Sequence, residues 1–522
     1  MQVPPPAKGL RGHPWLTLFA VAIGVMMVAL DGTIVAIANP AIQTDLHASL
    51  ADVQWITNGY MLCLAVFLIT AGKLGDRFGH RQAFLVGIVG FAATSAAIGL
   101  SDSVALVITF RAFQGLFGAL LMPSALGLMR ATFPAERLNM AIGIWGMVIG
   151  ASTAGGPILG GVLVENVSWQ SVFFINVPVG ALALALGLVI LKDSRAENAP
   201  RSFDILGIIL LSAAMFSLIW ALIKAGDAWG WSDGRTWAYL GAAAFFFAVF
   251  ALWETRAGEP LIPLTMFRSL ALSAGVVLMV LMAFAFMGGL FFVTFYLQNV
   301  HGMSPVDCGL RLLPLTGMMI VSSPLAGAMI TRFGPRVPLV GGMLLTALAM
   351  FGMTSLSTGT GTPAMALWFA VLGLGLAPVM VGATEVIVGN APLELSGVAG
   401  GLQQAANMVG GSLGTAVLGA VMSNKVGSEL VANWRNAGLP GTPPAGLEKA
   451  AVVGLVPEQV GTAPGMTKVL LGRITGVIHD TFITGMGLAF TVAGIVAVVA
   501  AGVAVLTKRG KNADAGAGVG HI

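Results

Sequence analysis

Charge is what this sequence lacks most. Only 9% of its 522 residues are Asp, Glu, Lys or Arg, and 57% are hydrophobic. A soluble domain carries roughly 25% charged residues, so a mostly wet surface is excluded. Cysteine is nearly absent: Cys63 and Cys308 lie in or beside apolar runs, which excludes a disulfide framework and leaves two small packing residues. There is no GxxxxGK[ST] phosphate loop, so ATP drive is not expected, and no HExxH or Cys/His cluster, so neither a metal site nor a membrane protease has support. The basic excess is slight, a formal net charge of +4, and its residues sit in short loops rather than in one patch, which argues against nucleic acid as a partner. No cleavable leader is recognisable; a Pro-rich basic head runs directly into a spanning-length segment that holds an acid.

What fills the chain instead is apolar sequence punctuated by glycine, 70 residues of it against a usual level near 7%. Glycine spread through apolar segments predicts helices packed backbone to backbone in lipid. A bilayer core takes about 20 apolar residues per helix. Runs of that kind fall at 15–39, 53–72, 83–101, 104–126, 140–163, 171–191, 203–224, 236–254, 270–297, 306–330, 337–356, 363–388, 397–421 and 480–506. The expected fold class is therefore an all-α polytopic membrane protein with fourteen transmembrane helices and both ends on one side. Lys and Arg choose the side. With the N-terminus inside, 17 of the 26 basic residues fall in cytoplasmic segments; of the seven outside, five sit in one long loop. Both termini are expected in the cytoplasm.

The seventh and eighth spans interrupt a pattern of six and six, and transporters are commonly built from such repeats. The expected organisation is a cytoplasmic segment at 1–14, a six-helix half at 15–191, and a linker carrying two inserted helices at 192–269. A second half follows at 270–506, with a long outer loop at about 422–479, and then a disordered polar tail at 507–522. In the outer loop GLPGTPPAG cannot be regular, while 445–460 has room for a short surface helix.

Several motifs stand out. GKLGDRFGHR, from Gly72 to Arg81, follows the second span. Gly75 and Gly79 permit a tight turn and close backbone approach. Asp76 can cap a neighbouring helix N-terminus, where the helix dipole favours an anion, and Arg77 and Arg81 can pair with it. Alone, the segment also reads as an ordinary positive-inside hairpin. A degenerate copy, GAMITRFGPR from Gly327 to Arg336, keeps Arg332, Gly334 and Arg336 but has Thr331 in place of the acid. LDGTIVAIANP places Asp31 inside the first span, and RAFQGLFGA places Arg111 inside the fourth. GIWGMVIGASTAGGPILGG strips the fifth helix of bulk through Gly155, Gly156, Gly160 and Gly161 and makes it kinkable at Pro157.

Taken together these motifs resemble the major facilitator superfamily, and GGPILGG resembles its antiporter signature. With fourteen spans, WQSVFFINVPVG, FDILGIILL, EPLIPLTMFR, FYLQNVHGMSP and CGLRLLPL, the chain is similar to the EmrB/QacA-type drug:proton antiporters over roughly residues 15–420 and its last helix. The resemblance implies two six-helix halves plus two inserted helices, alternating access, and conformational-switch motifs at Gly72–Arg81, Gly155–Gly161 and Arg332–Arg336. It implicates Arg111 in proton coupling. His80 and Asn39 are mild variations. A larger departure is GLQQAANMVGG in the thirteenth span, where relatives often carry an acid and this chain has the neutral Gln403, Gln404 and Asn407.

Ionisable groups inside spans are costly and mark function. Asp31 is the expected proton carrier, the plainer alternative being a packing hydrogen bond to Thr33 or a neighbour. Arg111 cannot deprotonate, so it acts by its field or serves as an anchor. Arg311, near the outer boundary, reads as a snorkelling side chain. Glu385 has three open roles: proton acceptor, attractor of a cationic substrate, or wet residue at the membrane edge. Asn58, Gln114, Tyr296, Gln298, Gln403, Gln404 and Asn407 are candidates to line a substrate cavity between the halves. The expected function is proton-coupled efflux of lipophilic drugs or antibiotics across a bacterial cell membrane. A narrow exporter of one self-made compound is the alternative, and a non-transporting sensor a more distant one. No cofactor is expected, the drive being the proton gradient. The expected partners are a small lipophilic substrate, cationic or neutral, together with protons and membrane lipid, acting on a monomer.

Overall fold

The computed structural model describes residues 10–48, 50–192, 204–226, 229–444, 446–456 and 467–508. The start of the head, most of the first cytoplasmic connector, the middle of the outer loop and the tail from 509 onward lie outside the described residues. The first six spans are α1 (Pro14–Asp45), α2 (Leu50–Phe78), α3 (His80–Gly99), α4 (Val104–Thr132), α5 (Ala135–Asn166), and α6 (Ser171–Phe174) joined to α7 (Asn176–Ile190). Then come α8 (Ile205–Gly226) and α9 (Gly234–Glu254). The last six are α10 (Leu270–Phe295, continued by a π turn at Tyr296–Val300), α12 (Leu313–Phe333), α13 (Arg336–Met353), α14 (Thr362–Asn390), α15 (Ser396–Asn436) and α17 (Lys468–Ala504). The short α11 (Pro305–Arg311) and α16 (Leu447–Val452) do not span. Among the described residues fourteen helices are long and apolar enough to cross a membrane, matching the runs read from the sequence.

Helices satisfy their own backbone hydrogen bonds, which lipid cannot do. What remains is packing, and here the glycines act. Side chains at Gly410 and Gly414 of α15 would overlap the carbonyls of Val280 and Phe284, so their absence lets α15 lie directly on α10. The breaks between spans follow the same chemistry. Gly79, between α2 and α3, has φ +100°, and Gly334, between α12 and α13, has φ +79°, a region that favours glycine. The motif copies thus make the same turn at both places.

The first and last six spans meet where α5 packs on α12 and α2 packs on α15. The inserted α8 and α9 pack on each other, and α8 lies against both α2 and α15, across that seam. Leu62, Val66 and Ile69 of α2, Leu211, Met215 and Ile219 of α8, and the core of the last six spans form one apolar cluster. Trp231 donates from Nε1 to the Ala416 carbonyl (3.1 Å), and Lys73 donates from Nζ to the Pro260 carbonyl (2.8 Å), so the pair is pinned at both ends. Only 17% of the apolar window of α9 is buried, which leaves that helix to the lipid.

The outer loop needs correction. The sequence reading ends the thirteenth span at 421 and starts the last at 480, whereas α15 runs to Asn436 and α17 begins at Lys468. Lys425 and Glu429 pair across one turn at 2.6 Å on the wet face, and such charges end an apolar run. Beside that pair a stripe of Met422, Val426, Leu430 and Trp434, all buried, continues one helical turn apart. The small helix expected within 445–460 is α16, at Leu447–Val452.

Candidate functional site

Asp31, on α1, is fully buried and meets Arg111 of α4: guanidinium Nη1 donates to Asp31 Oδ2 at 2.5 Å. The second carboxylate oxygen accepts from Gln114 Nε2 at 3.0 Å and from Asn176 Nδ2 at 3.3 Å. Both amides also donate to Ser95 Oγ, at 2.6 and 3.1 Å. Arg111 donates further to Gln114 Oε1 (2.6 Å) and to the Ile56 carbonyl (3.1 Å). Its Cζ lies 4.1 Å from the Tyr60 ring centroid and 5.9 Å from that of Phe173. Five helices thus converge on one carboxylate. A buried ion pair persists only when its remaining hydrogen-bonding capacity is met, and here the two amides meet it.

Thr33 donates to the Leu30 carbonyl and not to Asp31, whose packing hydrogen bonds come instead from its neighbours Gln114 and Asn176. Gln114, expected on a cavity wall, is fully buried with its amide committed to this cluster. Ser95, Asn176 and Tyr60 went unread in the sequence. Their only signal was polarity inside apolar runs, and that does not say which of them converge. The glycine face of α5 lies beside the cluster. A Cβ at Gly156 would overlap the Thr33 hydroxyl, and one at Gly160 would come within 2.9 Å of Ile34, while Gly155 faces only Leu30 at 3.9 Å. Gly161 faces Val306 of α11. The side chain of Pro157 lies outside the described residues.

At the cytoplasmic end of α2, Asp76 caps α15: its carboxylate accepts from Gly397 N (2.8 Å) and Val398 N (3.0 Å). The capping role expected for it therefore falls on the far half of the chain. A carboxylate on two free N–H groups also meets the positive end of the helix dipole. His80, read as a mild variation, proves central: Nε2 lies 3.1 Å from Asp76 and 3.3 Å from Ser396 Oγ. Arg81 instead donates to the Leu188 carbonyl (3.1 Å), and Arg77 lies 5.4 Å from the Phe78 ring. Gly72 and Gly397 face each other so closely that a Cβ on either would overlap the other's carbonyl oxygen, and one at Gly75 would come within 2.5 Å of His80 Nδ1. Arg130 reaches the Ala391 and Pro392 carbonyls at 2.6 and 3.3 Å. Glu385, buried near the cytoplasmic end of α14, lies within the field of that arginine. In the degenerate copy Thr331 takes the acid's place, 3.5 Å from Asn139 Nδ2 of α5, and Arg332 and Arg336 are exposed.

The remaining candidates are scattered. Tyr296 belongs to the π turn at the outer end of α10 and donates to the Ser357 carbonyl at 2.7 Å; it is not a midplane residue, because the π turn sits beyond the middle of its span. Gln298 is in the same turn, near Cys308. Gln403 and Asn407 point their amides at Met279 Sδ, 3.8 and 3.9 Å away. Gln404 and Asn58 are half-buried.

These features define a helical carrier whose two bundles are clasped at the cytoplasmic face, with the Asp31–Arg111 ion pair buried in the first. Residues 21–415 match the Major Facilitator Superfamily model, and the chain belongs to that superfamily. It is 67% identical to the tetracenomycin C resistance and export protein of Streptomyces glaucescens, over 97% of this chain and 93% of that one. The multidrug resistance protein Stp of Mycobacterium tuberculosis is 36% identical over 78% of this chain and 76% of its own. The multidrug efflux pump LfrA of Mycolicibacterium smegmatis is 32% identical, with 86% and 85% covered. The fold is shared with the human organic anion transporter MFSD10 (TM-score 0.62, 11% identity, 94% and 99% covered) and the proton:xylose symporter XylE (0.57, 13%, 96% and 98%). The chain is a multi-pass efflux transporter of the cell membrane and not an enzyme.

Proposed function

We propose that this transporter exports a lipophilic antibiotic in exchange for protons, with Asp31 as the proton carrier and Arg111 as its counter-charge. The observation that carries the reading is the Asp31–Arg111 pair, sealed among five helices. Protonating Asp31 removes the anion that holds Arg111. The guanidinium keeps Gln114, the Ile56 carbonyl and the Tyr60 face as partners, so part of its hydrogen bonding survives when α1 is freed from α4. The glycine face of α5 gives α1 a smooth surface to shift on. The Asp76 cap is the cytoplasmic latch that this shift releases.

The cargo reading favours a narrow exporter. The S. glaucescens relative is named for resistance to and export of tetracenomycin C, and Gln403, Gln404 and Asn407 offer a substrate amides rather than carboxylates. Asn58 and Glu385 complete the polar set available to it. The names of Stp and LfrA favour broad drug efflux as the second reading.

The test is reconstitution in liposomes with an imposed pH gradient, following efflux of tetracenomycin C and of a panel of lipophilic cations. Substrate-dependent proton movement with the antibiotic and little with the cations is expected. Equal transport of the whole panel would favour the broad reading, and no proton movement with any compound would sink antiport. Asp31→Asn is expected to abolish coupling; intact coupling in that variant would move the proton elsewhere.

A further inference from the structure

On the outer face of the last six spans, the turn after α10 and the starts of α12 and α14 enclose a cavity of about 600 Å³. Two opposite charges line it, one helical turn apart on α11: Asp307 and Arg311. Neither pairs off with the other. Asp307 accepts from Ser304 Oγ (2.8 Å), while Arg311 Nη1 donates to Thr362 Oγ1 at the start of α14. Each charge is thereby positioned by a neutral neighbour and keeps hydrogen-bonding capacity for something else.

Membrane depth narrows what that is. The Lys/Arg bias puts the starts of α12 and α14 at the outer boundary of the bilayer. Leu310, 48% exposed, lines the cavity together with Met303, Pro314 and Met365, an apolar wall next to the two charges. A ligand matching this surface has a positive and a negative group about one helical turn apart, no net charge, and apolar chains below. We propose that the cavity binds the headgroup of an outer-leaflet phospholipid bearing a primary ammonium, phosphatidylethanolamine. Arg311 takes the phosphate and Asp307 the ammonium. Phosphatidylcholine fits less well because its quaternary nitrogen has no N–H for the carboxylate, and phosphatidylglycerol because Asp307 repels its net charge.

The site has a mechanical consequence. Val306, on the same short helix, lies against Gly161 of α5, so a lipid held by α11 braces the outer contact between the two bundles.

The test uses the full chain in vesicles of equal phosphatidylethanolamine, phosphatidylcholine and phosphatidylglycerol, with retained lipid identified by native mass spectrometry after mild detergent release. Lipid held elsewhere is subtracted using the double variant Asp307→Asn/Arg311→Gln. Wild type is expected to retain phosphatidylethanolamine over the other two by roughly fivefold to tenfold, the scale of one ordinary net hydrogen bond. Asp307→Asn is expected to invert the order toward phosphatidylglycerol, because the lone Arg311 then favours a net anion. Arg311→Gln should lose lipid of all three kinds at this site, and Arg311→Lys should retain it, which separates charge from folding. An unchanged ratio of phosphatidylethanolamine to phosphatidylglycerol in Asp307→Asn would overturn the proposal. Soluble O-phosphoethanolamine should compete only in large excess, because it lacks the apolar chains; displacement of the lipid at equal concentration would make the free headgroup the ligand and overturn the proposal.

Discussion

Removing either member of the Asp31–Arg111 pair has unequal consequences. Arg111→Met strands a fully buried carboxylate, and breaking a buried pair from one side costs about 3–5 kcal/mol; a clearly lowered unfolding temperature in detergent is expected. Asp31→Asn keeps an oxygen for Gln114 and Asn176 but leaves the buried Arg111 guanidinium without its anion. Its unfolding temperature should also fall, less than in Arg111→Met because Gln114, the Ile56 carbonyl and the Tyr60 face still hold the cation, and proton exchange should be lost. The double variant Asp31→Asn/Arg111→Gln should recover stability relative to Arg111→Met but not transport, because no titrating group remains. His301, at the outer face, holds its proton less tightly than an ordinary histidine, first through burial and then through Arg311. A lowered folded-state affinity means the unfolded chain binds the proton more readily, so stability falls as pH drops below about 6.5. His301→Gln is expected to narrow the gap between unfolding temperatures at pH 7.5 and 5.5. At this scale the sequence exposes Asp31 and Arg111, because ionisable groups are conspicuous in apolar runs. It hides Ser95, Asn176 and His80, whose importance lies in what they face.

Among elements, the glycine face of α5 makes a sharp prediction from two adjacent residues. Gly156→Ala drives a methyl into Thr33 and should cripple transport or folding, whereas Gly155→Ala meets nothing closer than 3.9 Å and should be tolerated. Equal effects of the two would argue against a tight α1–α5 contact. The latch is testable in the same way. Losing a helix cap costs about 1 kcal/mol, so Asp76→Ala should shift the balance toward a cytoplasm-open form by about fivefold. Labelling of cysteines introduced near Gly397, applied from the cytoplasmic side, would read this directly. The motif was legible as a capping segment, but its partner, three hundred residues away in sequence, was not. The extension of α15 is hidden in the sequence because a hydropathy run ends at Lys425, while the buried stripe from Met422 to Trp434 continues beside the Lys425–Glu429 pair.

For the whole molecule, the inserted α8 and α9 enter and leave on the cytoplasmic side. Replacing residues 193–268 by a flexible linker should therefore preserve topology, with both termini still cytoplasmic when mapped by accessible tags. It should also expose the α2–α15 seam to lipid and lower transport, since α8 covers that seam. A reversed C-terminus would contradict the pairwise insertion. Composition, run length and the placement of Lys and Arg determine the number of spans, their orientation and the superfamily motifs, because each of these is a property of a local segment meeting lipid or water. Only the tertiary structure decides that Asp31 meets Arg111, that Asp76 caps α15, and that Asp307 and Arg311 face one cavity. Those outcomes depend on which helix faces meet, and no local segment carries that information.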